Sequence, residues 1–96
     1  MKEVYDIGDT VRMQATFRNL SEALTTPTTT TLYVQDPSGN VSTIANASLS
    51  SGGTGVKYYD FTVDEAGTWW YRFKAAGNMV AEEEGSFKVR NRQVVV

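Results

Sequence analysis

Ninety-six residues with 41% apolar, 11% aromatic and 21% charged side chains suit one hydrophobic core, and the chain is too apolar to stay disordered. Nine basic against eleven acidic residues leave a formal charge of −2, with no basic patch to serve nucleic acid and no apolar run long enough to span a membrane. Cysteine and histidine are absent, which excludes disulfides, thiol nucleophiles, thiolate or imidazole metal ligands and the commonest general base.

Met1-Lys2-Glu3-Val4 reaches a strand pattern at once, without an apolar leader, so the chain is expected to be made and used without secretion. Tyr5 to Asp9 reads as a short extended lead-in, broken at Gly8-Asp9 by a kink that lets a first strand switch sheets or begin again. Thr10 to Arg18 alternates strictly, with Val11, Met13, Ala15 and Phe17 on the inward face. Asn19 to Thr28 is a crossing loop, in which Ser21 to Leu24 suggests a short helical turn and Leu20 and Leu24 pin the loop to the core edge.

Thr29 to Gln35 predicts a strand with Leu32 and Val34 inward and Thr31, Tyr33 and Gln35 outward. Asp36-Pro37-Ser38-Gly39-Asn40 is a turn, with Pro fixing φ at the second position. The return strand, Val41 to Ala45, places Val41 inward together with either Thr43 or Ile44, a register that so short a run leaves open. Asn46 to Gly55 is a Ser- and Gly-rich loop around a lone Leu49, expected to touch the core edge.

Everything else is organised around Tyr58 to Lys74. Val56 to Val63 forms one strand, with Tyr59, Phe61 and Val63 sharing a face. Asp64-Glu65-Ala66-Gly67 is a tight corner, and Thr68 to Ala75 forms the next strand, with Trp69, Tyr71 and Phe73 on one face and Trp70, Arg72 and Lys74 on the other. The corner resembles the immunoglobulin E–F corner, with Glu65, Gly67, Trp69 and Tyr71 at the matching positions. Here an indole N–H replaces the tyrosine hydroxyl, and Tyr71 stands where a disulfide cysteine would be.

Gly77-Asn78 turns the chain into Met79 to Arg90. There Val80 fits one parity and Phe87 and Val89 the other, so a bulge is expected at Gly85. Asn91 to Val96 is a polar and then purely β-branched tail. The expected fold is therefore all-β: an Ig-like antiparallel β-sandwich of about seven strands without a disulfide, spanning residues 1–90, followed by a tail at 91–96.

Glu82-Glu83-Glu84 offers no calcium-loop spacing, because successive strand residues point to alternate faces. Its plainer role is a solvated edge that resists aggregation. Nothing in so small a sandwich supplies a cleft for paired carboxylates. No catalytic, metal or cofactor-binding residue is assigned, and no enzyme activity is expected. The candidate partner contacts are Trp70, Tyr33 and Tyr58, as outward aromatics, and Val94, Val95 and Val96, as a segment able to add to a neighbour's sheet.

At YDIGDTV (Tyr5 to Val11), DPSGNV (Asp36 to Val41), DEAGTWWYRF (Asp64 to Phe73) and EEGSFKVR (Glu83 to Arg90), the chain resembles the small Ig-like virion proteins of tailed bacteriophages and prophages. The opening and the Asp-Pro-x-Gly hairpin are more distantly similar to macroglobulin-type and bacterial Ig-like domains. The resemblance implies a structural virion protein at the capsid surface, neck or tail, present in several copies on a symmetric assembly. Its expected partners are other virion proteins, with no nucleic acid, membrane or cofactor. The alternative is a carbohydrate- or receptor-binding module presenting an aromatic platform.

Overall fold

The computed structural model describes residues 4–78 and 80–91, and shows eight strands among them. These are β1 (Val4–Asp6), β2 (Thr10–Thr16), β3 (Thr29–Gln35), β4 (Val41–Ile44), β5 (Ser50–Ser51), β6 (Val56–Thr62), β7 (Gly67–Ala76) and β8 (Ala81–Arg90). They form a five-stranded sheet, β1-β8-β7-β3-β4, and a three-stranded sheet, β2-β6-β5. All pairings are antiparallel except β1 with β8. The smaller sheet corresponds to strands B, E and D of an immunoglobulin-like sandwich, and β8-β7-β3-β4 to strands G, F and C with an added edge strand.

Alternation in the sequence places the core. The inward residues of β2 (Val11, Met13, Ala15), followed by Phe17, meet Leu32 and Val34 of β3, Trp69, Phe73 and Ala75 of β7, and Phe87 and Val89 of β8, all buried. Trp69 and Phe87 stack nearly parallel with centroids 6.2 Å apart, and Tyr5 meets Phe87 edge-on at 5.4 Å. Such ring pairs add to the area that burial removes from water. Of the two outcomes open to the kink at Gly8-Asp9, the chain takes the sheet switch: Gly8 N–H donates to Val63 C=O at 2.8 Å, and Val63 N–H donates to Asp9 C=O at 3.0 Å.

The corner and the first hairpin are packed as one unit. Trp69 Nε1–H donates to Glu65 C=O at 3.0 Å, so the indole closes the corner as a tyrosine hydroxyl does in antibody domains. Gly67 has φ +133°, and a Cβ there would lie 2.6 Å from Cβ of Pro37, so the turn at Asp36 to Asn40 sits directly on the corner. Ser38 Oγ donates to the Glu65 carboxylate across the same contact. Within the turn, Gly39 N–H donates to Asp36 C=O at 3.0 Å and Asn40 N–H to Asp36 Oδ1 at 2.8 Å.

Four expectations are corrected. The bulge at Gly85 is not formed, because β7 and β8 pair without interruption from Gly67↔Val89 to Ala75↔Ala81. Val80 lies outside the strand and is exposed. Gly85 is needed for another reason: it lies opposite Tyr71, and a Cβ there would collide with the Tyr71 hydroxyl and come within 2.5 Å of Cζ. The ring occupies the space a side chain would take.

Ser21 to Leu24 is not helical. Asn19 Oδ1 accepts from the N–H groups of Ser21 (2.8 Å) and Ala23 (3.1 Å), Glu22 takes φ +65°, and Arg18 bridges Leu24, so local side-chain bonding outcompetes the helical turn. Leu20 and Leu24 are both exposed and pin nothing. Val41 is also exposed, because β4 registers Ile44 against Leu32 and Val41 against Gln35 on the outer face. Leu49, by contrast, is half-buried against the core as expected.

Candidate interaction surface

The outer face of the five-stranded sheet brings two of the sequence-predicted contact residues together. Cross-strand pairing sets Val41, Gln35, Trp70 and Ser86 in one row, and Thr43, Tyr33, Arg72 and Glu84 in the next. Trp70 is 47% exposed and Val41 60% exposed, while Tyr33 is half-buried beneath Arg72, whose guanidinium carbon lies 5.4 Å from the Tyr33 ring centroid. These residues line a shallow depression of about 240 Å³ with Gln35, Tyr71 and Glu84. That is below the range of pockets that enclose small molecules, and it suits side chains of a partner surface.

Val41 was missed at the sequence level because a four-residue strand carries too little alternation to fix its register. The pairing of Leu32 with Ile44 decides it.

Tyr58 is not part of this surface. It lies on the outer face of the opposite sheet, where the Arg12 guanidinium carbon sits 4.0 Å from its ring centroid. Arg12 also donates from Nε to Asp60 Oδ1 (2.8 Å) and from Nη2 to Oδ2 (3.0 Å), a two-pronged pair that holds the Asp60 carboxyl below the usual carboxylate range. Tyr58 is thus covered by a neighbour within its own sheet. Val94, Val95 and Val96 lie outside the described residues.

Glu82 and Glu84 project from the outer face opposite Lys74 and Arg72, and Glu83 lies opposite Phe73; all three are exposed. Among the described residues no group of three or more acidic side chains is placed to hold a metal ion. Burial raises the Tyr71 hydroxyl above its ordinary value, with the Glu83 and Tyr5 charges adding to the shift.

The class that the architecture defines is an all-β, immunoglobulin-like sandwich closed without a disulfide. No protein-family model matches the chain, and no similar curated protein or solved structure is found.

Proposed function

We propose that this protein is a non-enzymatic structural component of a tailed-phage particle, made in the host cytoplasm and joined to other virion proteins at the capsid surface, neck or tail. The observation that carries the contact reading is the outer face of the five-stranded sheet, where Trp70, Val41 and Tyr33 form an apolar centre bordered by Arg72 and Glu84. An exposed tryptophan inside a polar rim is the usual make-up of a protein-contact centre. The phage assignment is supported by the resemblance of the opening, the hairpin, the corner and the last strand to small Ig-like virion proteins. Several copies on a symmetric lattice would let a modest patch hold through avidity.

Mass spectrometry of purified particles tests the reading, comparing native protein with a Trp70→Ala/Val41→Ser variant. Native protein in the particles and loss of the variant are expected. Absence of the native protein from every particle refutes the virion role.

The carbohydrate- or receptor-binding reading is favoured by one feature: Trp70 stands beside Gln35, Arg72 and Glu84, which offer hydrogen-bonding groups around an exposed ring. A glycan array with binding lost in Trp70→Ala would select it. A blank array, with host adsorption unchanged in that variant, would remove it.

A further inference from the structure

The outward charges of β8 are ordered along the strand. Glu82 and Glu84 occupy one end, Lys88 and Arg90 the other, and Ser86 stands at the midpoint, all of them exposed. Cross-strand register puts that midpoint in the row Ser86, Trp70, Gln35 and Val41, which crosses β8, β7, β3 and β4. The acidic and the basic ends of β8 therefore lie at equal distances on either side of the row that carries the exposed Trp70 and Val41.

Most of these charges are unspent within the molecule. Arg90 is held by Asp6 through Nε at 2.7 Å, and Arg72 lies over the Tyr33 ring. Glu84 stands opposite Arg72 and Glu82 opposite Lys74 in the β7–β8 ladder. Yet among the described residues Glu82, Glu84, Lys74 and Lys88 enter no ion pair.

A strand whose charges change sign about its own midpoint is complementary to a second copy of itself after a half-turn. We propose that the outer face of the five-stranded sheet is a two-fold interface between two copies of this chain, with the axis along the Ser86, Trp70, Gln35 and Val41 row. The proposal rests on the reading of this face as the protein-contact surface, and it names the partner there. With the two sheets face to face, each residue of the row meets itself. Trp70 packs on Trp70 and Val41 on Val41, and the two Gln35 amides exchange hydrogen bonds. One row to either side, Glu84 meets Lys88 of the second copy, twice by symmetry. Arg72 stays over Tyr33, and Lys74 lies at the rim in water.

The other way to stack the same faces matches them less well. An axis parallel to the strands, between β7 and β3, sets Trp70 on Gln35, Val41 on Ser86 and Glu84 on Thr43. Apolar groups then meet polar ones, and the glutamate finds no cation. Four strands about 4.8 Å apart and about 25 Å long give a face of roughly 500 Å² on each copy, so the pair buries about 1,000 Å². That is the low end for a specific interface and suits a dimer that forms between micromolar and millimolar concentration.

Sedimentation equilibrium of the native chain and of charge-exchanged variants tests the proposal. The native chain should dimerise below about 1 mM. Glu84→Lys and Lys88→Glu each set like charges across the axis twice, and each alone should raise the dissociation constant at least about tenfold. Mixed, the two variants should form a 1:1 complex, because opposite charges again face one another, and a chain carrying both exchanges should dimerise as the native chain does. A second measurement changes no charge. The chain has no cysteine, so Ser86→Cys, on the axis, should be joined to its own copy by a short bis-maleimide across the about 10 Å between packed sheets. Thr43→Cys, equally exposed but off the axis, should not. A native chain monomeric at about 1 mM, single exchanges that dimerise like the native chain, a mixture without a complex, or equal joining at positions 43 and 86 overturns the proposal. Particle incorporation is read separately with Trp70→Ala/Val41→Ser. Loss of that variant from particles beside a monomeric native chain would reject the two-fold pairing and leave the contact reading standing, whereas a native dimer absent from every particle would do the reverse.

Discussion

Gly85→Ala should destabilise the native protein yet stabilise a variant in which Tyr71 has been shortened. In the native background the new Cβ falls 2.5 Å from Tyr71 Cζ and 2.9 Å from Cε1, and it collides with the hydroxyl. The ring has little room to retreat, since it meets Phe73 at 83° with centroids 6.1 Å apart and Phe87 at 6.3 Å. Overpacking of this kind costs about 1–3 kcal/mol. Against it stands about 0.5–1 kcal/mol gained by replacing glycine within a strand, which leaves a net loss of roughly 1–2 kcal/mol. In a Tyr71→Val background the clash is gone and only the gain remains, so the coupling between the sites should be about 2 kcal/mol. Urea unfolding followed by tryptophan fluorescence measures all four corners of the cycle, with an unchanged m-value as the check on two-state behaviour. An equal cost of Gly85→Ala in both backgrounds would refute the claim that the tyrosine ring, not a bulge, requires glycine here.

Trp69→Phe removes the bond to Glu65 C=O and part of the stack on Phe87; a loss of about 2–3 kcal/mol is expected by the same denaturation assay. Trp70→Ala, on the outer face, should shift the midpoint by less than about 0.5 kcal/mol while abolishing partner contact, which separates surface function from fold. On the alkaline side, burial, reinforced by Glu83 and then Tyr5, raises the Tyr71 pKa above its ordinary value of 10.0. Its contribution is therefore fully present below pH 10 and lost as pH rises through the folded value, so Tyr71→Phe should flatten the fall in thermal midpoint above pH 10. In acid, Asp60 is held below its ordinary 3.8 by Arg12, so its small contribution is present above that pH and fades as pH falls through the folded value. Asp60→Asn should remove that part of the acid dependence in a denaturation series.

Local pattern determined much of this protein. Strict alternation in Thr10 to Thr16 and in Gly67 to Ala76 set which side chains are buried, because a strand's faces repeat every two residues. Asp-Pro-Ser-Gly and Glu-Ala-Gly marked the turn and the corner through backbone requirements that few other residues meet. The outward placement of Tyr33 and Trp70 followed from the same parity.

Tertiary structure decided what depended on a neighbour. The β4 register, and with it the exposure of Val41, comes from pairing with β3. The need for glycine at 85 comes from a ring on the adjacent strand, and the cover over Tyr58 from Arg12, 46 positions earlier in the chain. That β2 is the outermost described strand of its sheet was equally invisible, since strand order is set by which strands come to lie side by side. Periodicity reports the two faces of a strand; the neighbours on either side are set by long-range packing, which no local window contains.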